Sequence, residues 1–215
     1  MRFLLKTFLI SLSVAAFAMT VTARQTWAET KTILALGDSL TAGYGLDGKD
    51  AFPVKLEAAL RARGHEIVVI NGGVSGDTAA QGAARLDWSL TDDVDGVILE
   101  LGANDALRGL DPAQAEAALK DILDRLAARK LPVLIAGMKA PPNLGPDYVA
   151  AFDGIYPRLA ESSGSILYPF FLDGVAAVPA LNQSDGLHPT AAGVDVIVGK
   201  ILPFTEQLLA RISSP

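Results

Sequence analysis

"TILALGDSLTAGYG" (residues 32–45) decides how the rest of the chain is read. An apolar run, Ile33-Leu34-Ala35-Leu36, ends abruptly at Gly37-Asp38-Ser39. A short continuous apolar run bounded by a turn signal fits a strand covered on both faces. Either this is an ordinary strand-to-loop turn, or Ser39 is presented there to react.

Four further apolar runs follow the same plan. Residues 66–71 contain Ile-Val-Val-Ile, and residues 97–101, 133–137 and 165–168 complete a set of five predicted strands. Between them lie segments of helical spacing. Phe52, Leu56, Ala59 and Leu60 recur on one face of residues 52–63, and Gly64 supplies the stop. Residues 78–90 read as a helix with Asp77 or Thr78 as cap. Asp111-Pro112 opens a helix reaching about Lys130, with a cap followed by proline at the first position. After the proline-rich loop "MKAPPNLGPDY" a helix runs to about Glu161, and residues 190–211 form the last, with Pro203 inside it. Strands alternating with helices predict an α/β protein with a mostly parallel sheet and helices on both faces. No repeat or second-domain linker interrupts the pattern.

Bulk composition narrows the function. Half of the 215 residues are hydrophobic and a fifth are charged, as in a globular domain with a sizeable core. The net charge is −6, without a Lys/Arg run, which argues against a nucleic-acid partner. The absence of cysteine removes thiolate chemistry, disulfides and Cys-type zinc sites. With two histidines, His65 and His188, a histidine-built catalytic zinc site lacks ligands. The sequence implies no metal and no organic cofactor.

Residues 1–28 read as a signal peptide and residues 29–215 as the functional domain. Arg2 and Lys6 precede an apolar stretch from Phe8 to about Val21, then small residues, with cleavage sites after Ala23 or Ala28. The apolar stretch is shorter than the ~20 residues of a spanning helix. The expectation is an exported protein, periplasmic or secreted, without stable membrane insertion after processing. Its oligomeric state is left open.

In an open parallel sheet, ligands bind beyond the carboxyl ends of the strands. Ser39 follows the first strand. A serine hydroxyl needs a base to take its proton and a carboxylate to orient that base. "SDGLHPTAAG" offers Asp185 and His188, three residues apart around Gly186, between the fifth strand and the last helix. An oxyanion site needs preorganised donors. "NGGVSGDT" (71–78) follows the second strand and offers the Gly76 N–H. "LGANDALRG" (101–109) follows the third and offers the Asn104 amide; the Ser39 N–H is another candidate. Asp38 reads as a turn or supporting residue, His65 as a connector, and Gly43, Gly45, Gly72 and Gly73 as turn geometry.

These blocks together, "GDSL", "SGDT", "GAND" and "DGLH" in that order, resemble the SGNH/GDSL hydrolases over the whole chain after the leader. The resemblance is strongest to the exported branch containing arylesterases and a periplasmic thioesterase/lysophospholipase. It implies a flavodoxin-like three-layer sandwich with a five-stranded parallel sheet. It also implies a Ser39–His188–Asp185 triad and an oxyanion hole formed by Ser39, Gly76 and Asn104. The implied substrate is a small-molecule ester with a short- to medium-chain acyl or an aryl group. Thioesters, lysophospholipids and O-acetylated carbohydrates are the alternatives. The loop after the fourth strand would line an acyl pocket, with Met138, Leu144 and Tyr148 as candidates. A non-catalytic binding module would lack one of the reactive residues. A phosphate- or flavin-binding module would place an anion against Asp38, which repels it.

Overall fold

The computed structural model describes residues 30–212. The expected leader lies outside the described residues. In chain order, β1 (Lys31–Gly37) leads into a single turn α1 (Ser39–Ala42), then α2 (Phe52–Ala62) and β2 (Ile67–Gly73). Next come α3 (Ala79–Ala84), α4 (Leu86–Ser89), β3 (Gly96–Glu100), α5 (Ala103–Leu107), α6 (Pro112–Ala128) and β4 (Val133–Ala136). The chain continues through α7 (Pro146–Asp153), α8 (Ile155–Ser163), β5 (Ile166–Tyr168) and α9 (Ala191–Ile212).

All five strands are parallel, in the order β2-β1-β3-β4-β5. This is the flavodoxin-like order, with the reversal of strand sequence at β1/β3. Helix α2 packs on α9, while α3 and α8 pack on α6, giving a helical layer on each side. Ile33, Leu34, Leu36, Val97, Ile98, Leu99 and Leu134 are therefore fully buried, which is why those strands read as unbroken apolar runs. Pro203 sits inside α9 without ending it. Among the described residues no helix is long and apolar enough to cross a membrane.

The register decides what meets at the carboxyl edge. Gly37 pairs with Gly73 of β2 on one side and with Glu100 of β3 on the other. The segments starting at Asp38, Val74 and Leu101 therefore leave the sheet at the same level. One expected helix differs: residues 78–90 divide into α3 and α4 at Arg85 (φ −103°, ψ 5°). The Arg85 side chain turns inward to Asp77 and to the Gly37 carbonyl, so its residue serves as a junction.

Candidate active site

Ser39 opens α1, and Asp38 caps it by accepting the Leu40 N–H at 3.0 Å. The turn is tight enough to require glycine on both flanking strands. A Cβ on Gly37 would run into Thr41 and Glu100, and one on Gly73 into the backbone of Ala42. Beneath the turn lies Glu100, fully buried. Its Oε2 accepts the Thr41 hydroxyl at 2.6 Å and the Asp38 N–H at 3.3 Å, holding the turn at residues on both sides of Ser39. Glu100 Oε1 is buried with no hydrogen-bond partner. Burial, reinforced by the Asp38 charge, pushes the Glu100 carboxyl well above the usual range, which favours its neutral form.

His188 reaches Ser39 from the loop before α9. Its Nε2 lies 2.9 Å from Ser39 Oγ, and its Nδ1 lies 2.7 Å from Asp185 Oδ2. Asp185 Oδ1 accepts the N–H groups of Leu187 (2.9 Å) and His188 (3.0 Å). Gly186, with φ +72°, allows this reversal. The His188 backbone N–H, then its ring, then the Leu187 N–H hold the Asp185 carboxyl down at about 2. Gln183 ties the loop together: its Nε2 donates to the carbonyls of Tyr44 (2.8 Å) and Pro189 (3.0 Å). The Tyr44 ring lies 4.6 Å from the His188 ring, tilted by 39°.

The β2 and β3 exits meet the turn that carries Ser39. The Asn104 Nδ2 donates to Asp38 Oδ2 at 3.1 Å and to the Asp77 carbonyl at 3.0 Å. No acceptor among the described residues takes the Gly76 or Ser39 N–H. Two arginines fix this side. Arg85 Nε contacts Asp77 Oδ2 at 2.5 Å and its Nη2 donates to the Gly37 carbonyl at 2.8 Å, while Arg108 Nη2 donates to the Gly76 carbonyl at 2.7 Å. Asp38 is almost wholly buried. Burial lifts its carboxyl to about 6, against the Leu40 N–H and the Asn104 amide, which favour the charged form.

Ser39, Asn104 and His188 all face a cleft of about 400 Å³. Its walls are mainly apolar, including Leu40, Ala106, Met138, Pro142, Phe170 and Leu172. Of the expected pocket residues, Met138 lines it, whereas Leu144 and Tyr148 do not. Leu144 lies beside Gly109. Tyr148 stacks on Phe152 and donates its hydroxyl to the Leu110 carbonyl at 2.7 Å. No group of three or more His, Cys, Asp or Glu among the described residues is placed to hold a metal ion.

Sequence reasoning missed Glu100, Arg85, Arg108 and Gln183. Glu100 carried a usable signal, a lone acid at the end of the buried run "VILE". The others lie in segments whose direction only the assembled sheet defines.

A hydroxyl, an imidazole and a carboxylate bonded in series at the carboxyl edge of a parallel sheet are the arrangement of an α/β hydrolytic enzyme. Comparison with known proteins agrees. The chain matches the GDSL-like lipase/acylhydrolase family over residues 35–196. It is 38% identical over 183 residues to the esterase TesA of Pseudomonas aeruginosa, covering 85% of this chain and 91% of that protein. It is 41% identical over 158 residues to an arylesterase of Vibrio mimicus, covering 73% and 79%. The crystal structure of AlinE4, an SGNH-hydrolase family esterase, superposes with a TM-score of 0.71 at 50% identity, covering 84% of this chain and 97% of that one. This protein belongs to the GDSL-like lipase/acylhydrolase family and is a carboxylic ester hydrolase.

Proposed function

We propose that the protein is an exported serine esterase that hydrolyses small-molecule esters with short- to medium-chain acyl or aryl groups. The observation that carries this reading is the series Ser39 Oγ–His188 Nε2–His188 Nδ1–Asp185 Oδ2, with separations of 2.9 and 2.7 Å. With the proton of neutral His188 on Nδ1, that N–H donates to Asp185 and Nε2 faces the Ser39 hydroxyl. His188 takes the hydroxyl proton as Ser39 Oγ bonds to the ester carbonyl carbon. The carbonyl π electrons move to oxygen, and the oxyanion is held by the N–H groups of Ser39 and Gly76 and by the Asn104 amide. When the tetrahedral intermediate collapses, the C–O bond to the leaving alcohol breaks and His188 delivers the proton to it. Water then attacks the acyl-enzyme by the same route and frees Ser39.

Asn104 brings a constraint. Both of its amide hydrogens are engaged by Asp38 and Asp77. For Asn104 to serve the oxyanion, the Asp77 carbonyl contact must yield or become shared, while Asp38 keeps the amide in place. The Ser39 and Gly76 N–H groups need no such exchange. The apolar cleft suits an acyl or aryl group. Export rests on the composition of residues 1–28.

The deciding experiment is hydrolysis of phenyl acetate and of 4-nitrophenyl acetate, butyrate, octanoate and palmitate by the mature protein and its Ser39→Ala variant. Fastest cleavage of acetate or butyrate, abolished by the substitution, is the expected result. A maximum at octanoate or beyond would move the assignment to long-acyl thioesters or lysophospholipids. Equal slow rates for both proteins would remove Ser39 from the chemistry.

A further inference from the structure

The cleft is mainly apolar. Among the described residues, and apart from the reacting groups, the one formally charged residue that lines it is Lys139, and no described Asp or Glu lines it. That exclusion stands out in a chain with 24 acids and 18 Lys plus Arg. The position of Lys139 is fixed by its neighbours. It follows β4 between buried Met138 and Ala140, and the Ala140 N–H donates to Asp153 Oδ1 at 2.8 Å. The ammonium lies over the ring of Phe170, 5.3 Å from its centroid, and Phe170 is itself part of the cleft wall.

Lys139 also differs from most of the protein's lysines. Lys31, Lys49, Lys55, Lys120 and Lys200 each form an ion pair with a carboxylate, and Lys139 forms none among the described residues. The acid that feels its charge, Asp173, is bonded to Lys200 at 2.7 Å. A cation with no ion-pair partner among the described residues, on a wall that no described acid lines, attracts an anion locally in a protein whose net charge repels anions.

We infer that Lys139 is a specificity-determining residue that binds an anionic substituent, a carboxylate or a phosphate, carried by the ester substrate at the side of the cleft. The inference rests on the esterase reading and adds a substrate class to it: amphiphilic esters with one negative charge set apart from the scissile bond.

Two matched pairs separate the two places where such a charge can sit. Mono-4-nitrophenyl glutarate against 4-nitrophenyl valerate places it on the acyl side. 1-Octanoylglycerol 3-phosphate against 1-octanoylglycerol places it on the leaving group. Lys139→Met is expected to raise KM for the anionic member of one pair about fivefold, leaving kcat and the neutral member within twofold. Lys139→Arg is expected to restore it, and added salt to shrink the difference. Equal changes in charged and neutral members, or no change in either, would overturn the inference while leaving the esterase reading intact. Should no ester be hydrolysed, the esterase reading falls, and calorimetric titration of decyl phosphate still decides the site. Weaker binding to Lys139→Met than to wild type supports it, and equal affinity overturns it.

Discussion

Asn104 and Asp38 are joined by a 3.1 Å hydrogen bond from the amide Nδ2 to the carboxylate Oδ2, linking the β3 exit to the residue that precedes the serine. The acid of the "GDS" turn thus sets the orientation of the Asn104 side-chain amide, the group proposed above to serve the oxyanion. It also caps the turn that carries Ser39. One carboxylate aligns two elements of the site from beneath.

Removing that amide should separate catalysis from binding. Asn104→Ala is expected to lower kcat by ~100- to 1,000-fold, the usual cost of one oxyanion donor, with a much smaller effect on KM. It also strips Asp38 of a buried partner, so stability should drop by about 1–3 kcal/mol. Steady-state kinetics on a 4-nitrophenyl ester and a thermal melt measure both. Near-normal kcat would take Asn104 out of the mechanism.

Asp38 gives the fold a pH signature. Burial raises its carboxyl from 3.8 to about 6, so the native state holds a proton that the unfolded chain has already lost. Stability from this group is full below about 4, falls as the pH rises towards 6 and is level above that. Asp38→Asn cannot ionise, and its slope of stability against pH over that window is expected to be shallower than the wild type's. Denaturant titrations at pH 4, 5 and 6 compare the two. Identical slopes would show that Asp38 does not titrate there.

Asp185 behaves in the opposite sense. Its carboxyl is depressed to about 2, so the stabilising bonds it accepts are intact above the unfolded value of 3.8 and are lost only as the pH falls through about 2. It stays ionised wherever the protein is assayed. Asp185→Asn is expected to lower kcat ~1,000- to 10,000-fold by favouring the wrong imidazole tautomer, with the factor nearly constant from pH 6 to 9. A loss confined to the acid end of the profile would contradict this.

Gly37 should tolerate no side chain. Gly37→Ala drives a methyl group into Thr41 and the buried Glu100, beneath the turn that carries Ser39. A stability loss of about 1–3 kcal/mol is expected, with a fall in kcat as the serine shifts. A melt unchanged from wild type would mean that the turn has slack.

Much of this architecture was legible because β1, β3 and β4 are covered on both faces and so consist of continuous apolar runs. Ser39, Gly76, Asn104, Asp185 and His188 each sit just past such a run or before the last helix, and the register brings those exits to one edge. What escaped depended on side-chain direction. Tyr148 looked like a cleft residue because its loop follows β4, yet its hydroxyl is drawn to the Leu110 carbonyl. Residues 78–90 had helical spacing throughout, and periodicity carried no sign that Arg85 would break the helix by reaching Asp77 and Gly37. The acid of "VILE" was visible, but only the paired strands show that it lies under the serine turn.

The hydroxyl of Ser39 and the imidazole of His188 are 149 positions apart along the chain, and all the strands after β1 are laid down between them. Turnover is therefore a gauge of the finished architecture and not of any local piece. A compact intermediate that kept its helices but lost the docking of the loop before α9 would give a near-native circular dichroism spectrum and no product. During gradual denaturation, esterase activity should vanish no later than the spectroscopic signal, and any interval between the two curves measures how independently that last loop lets go.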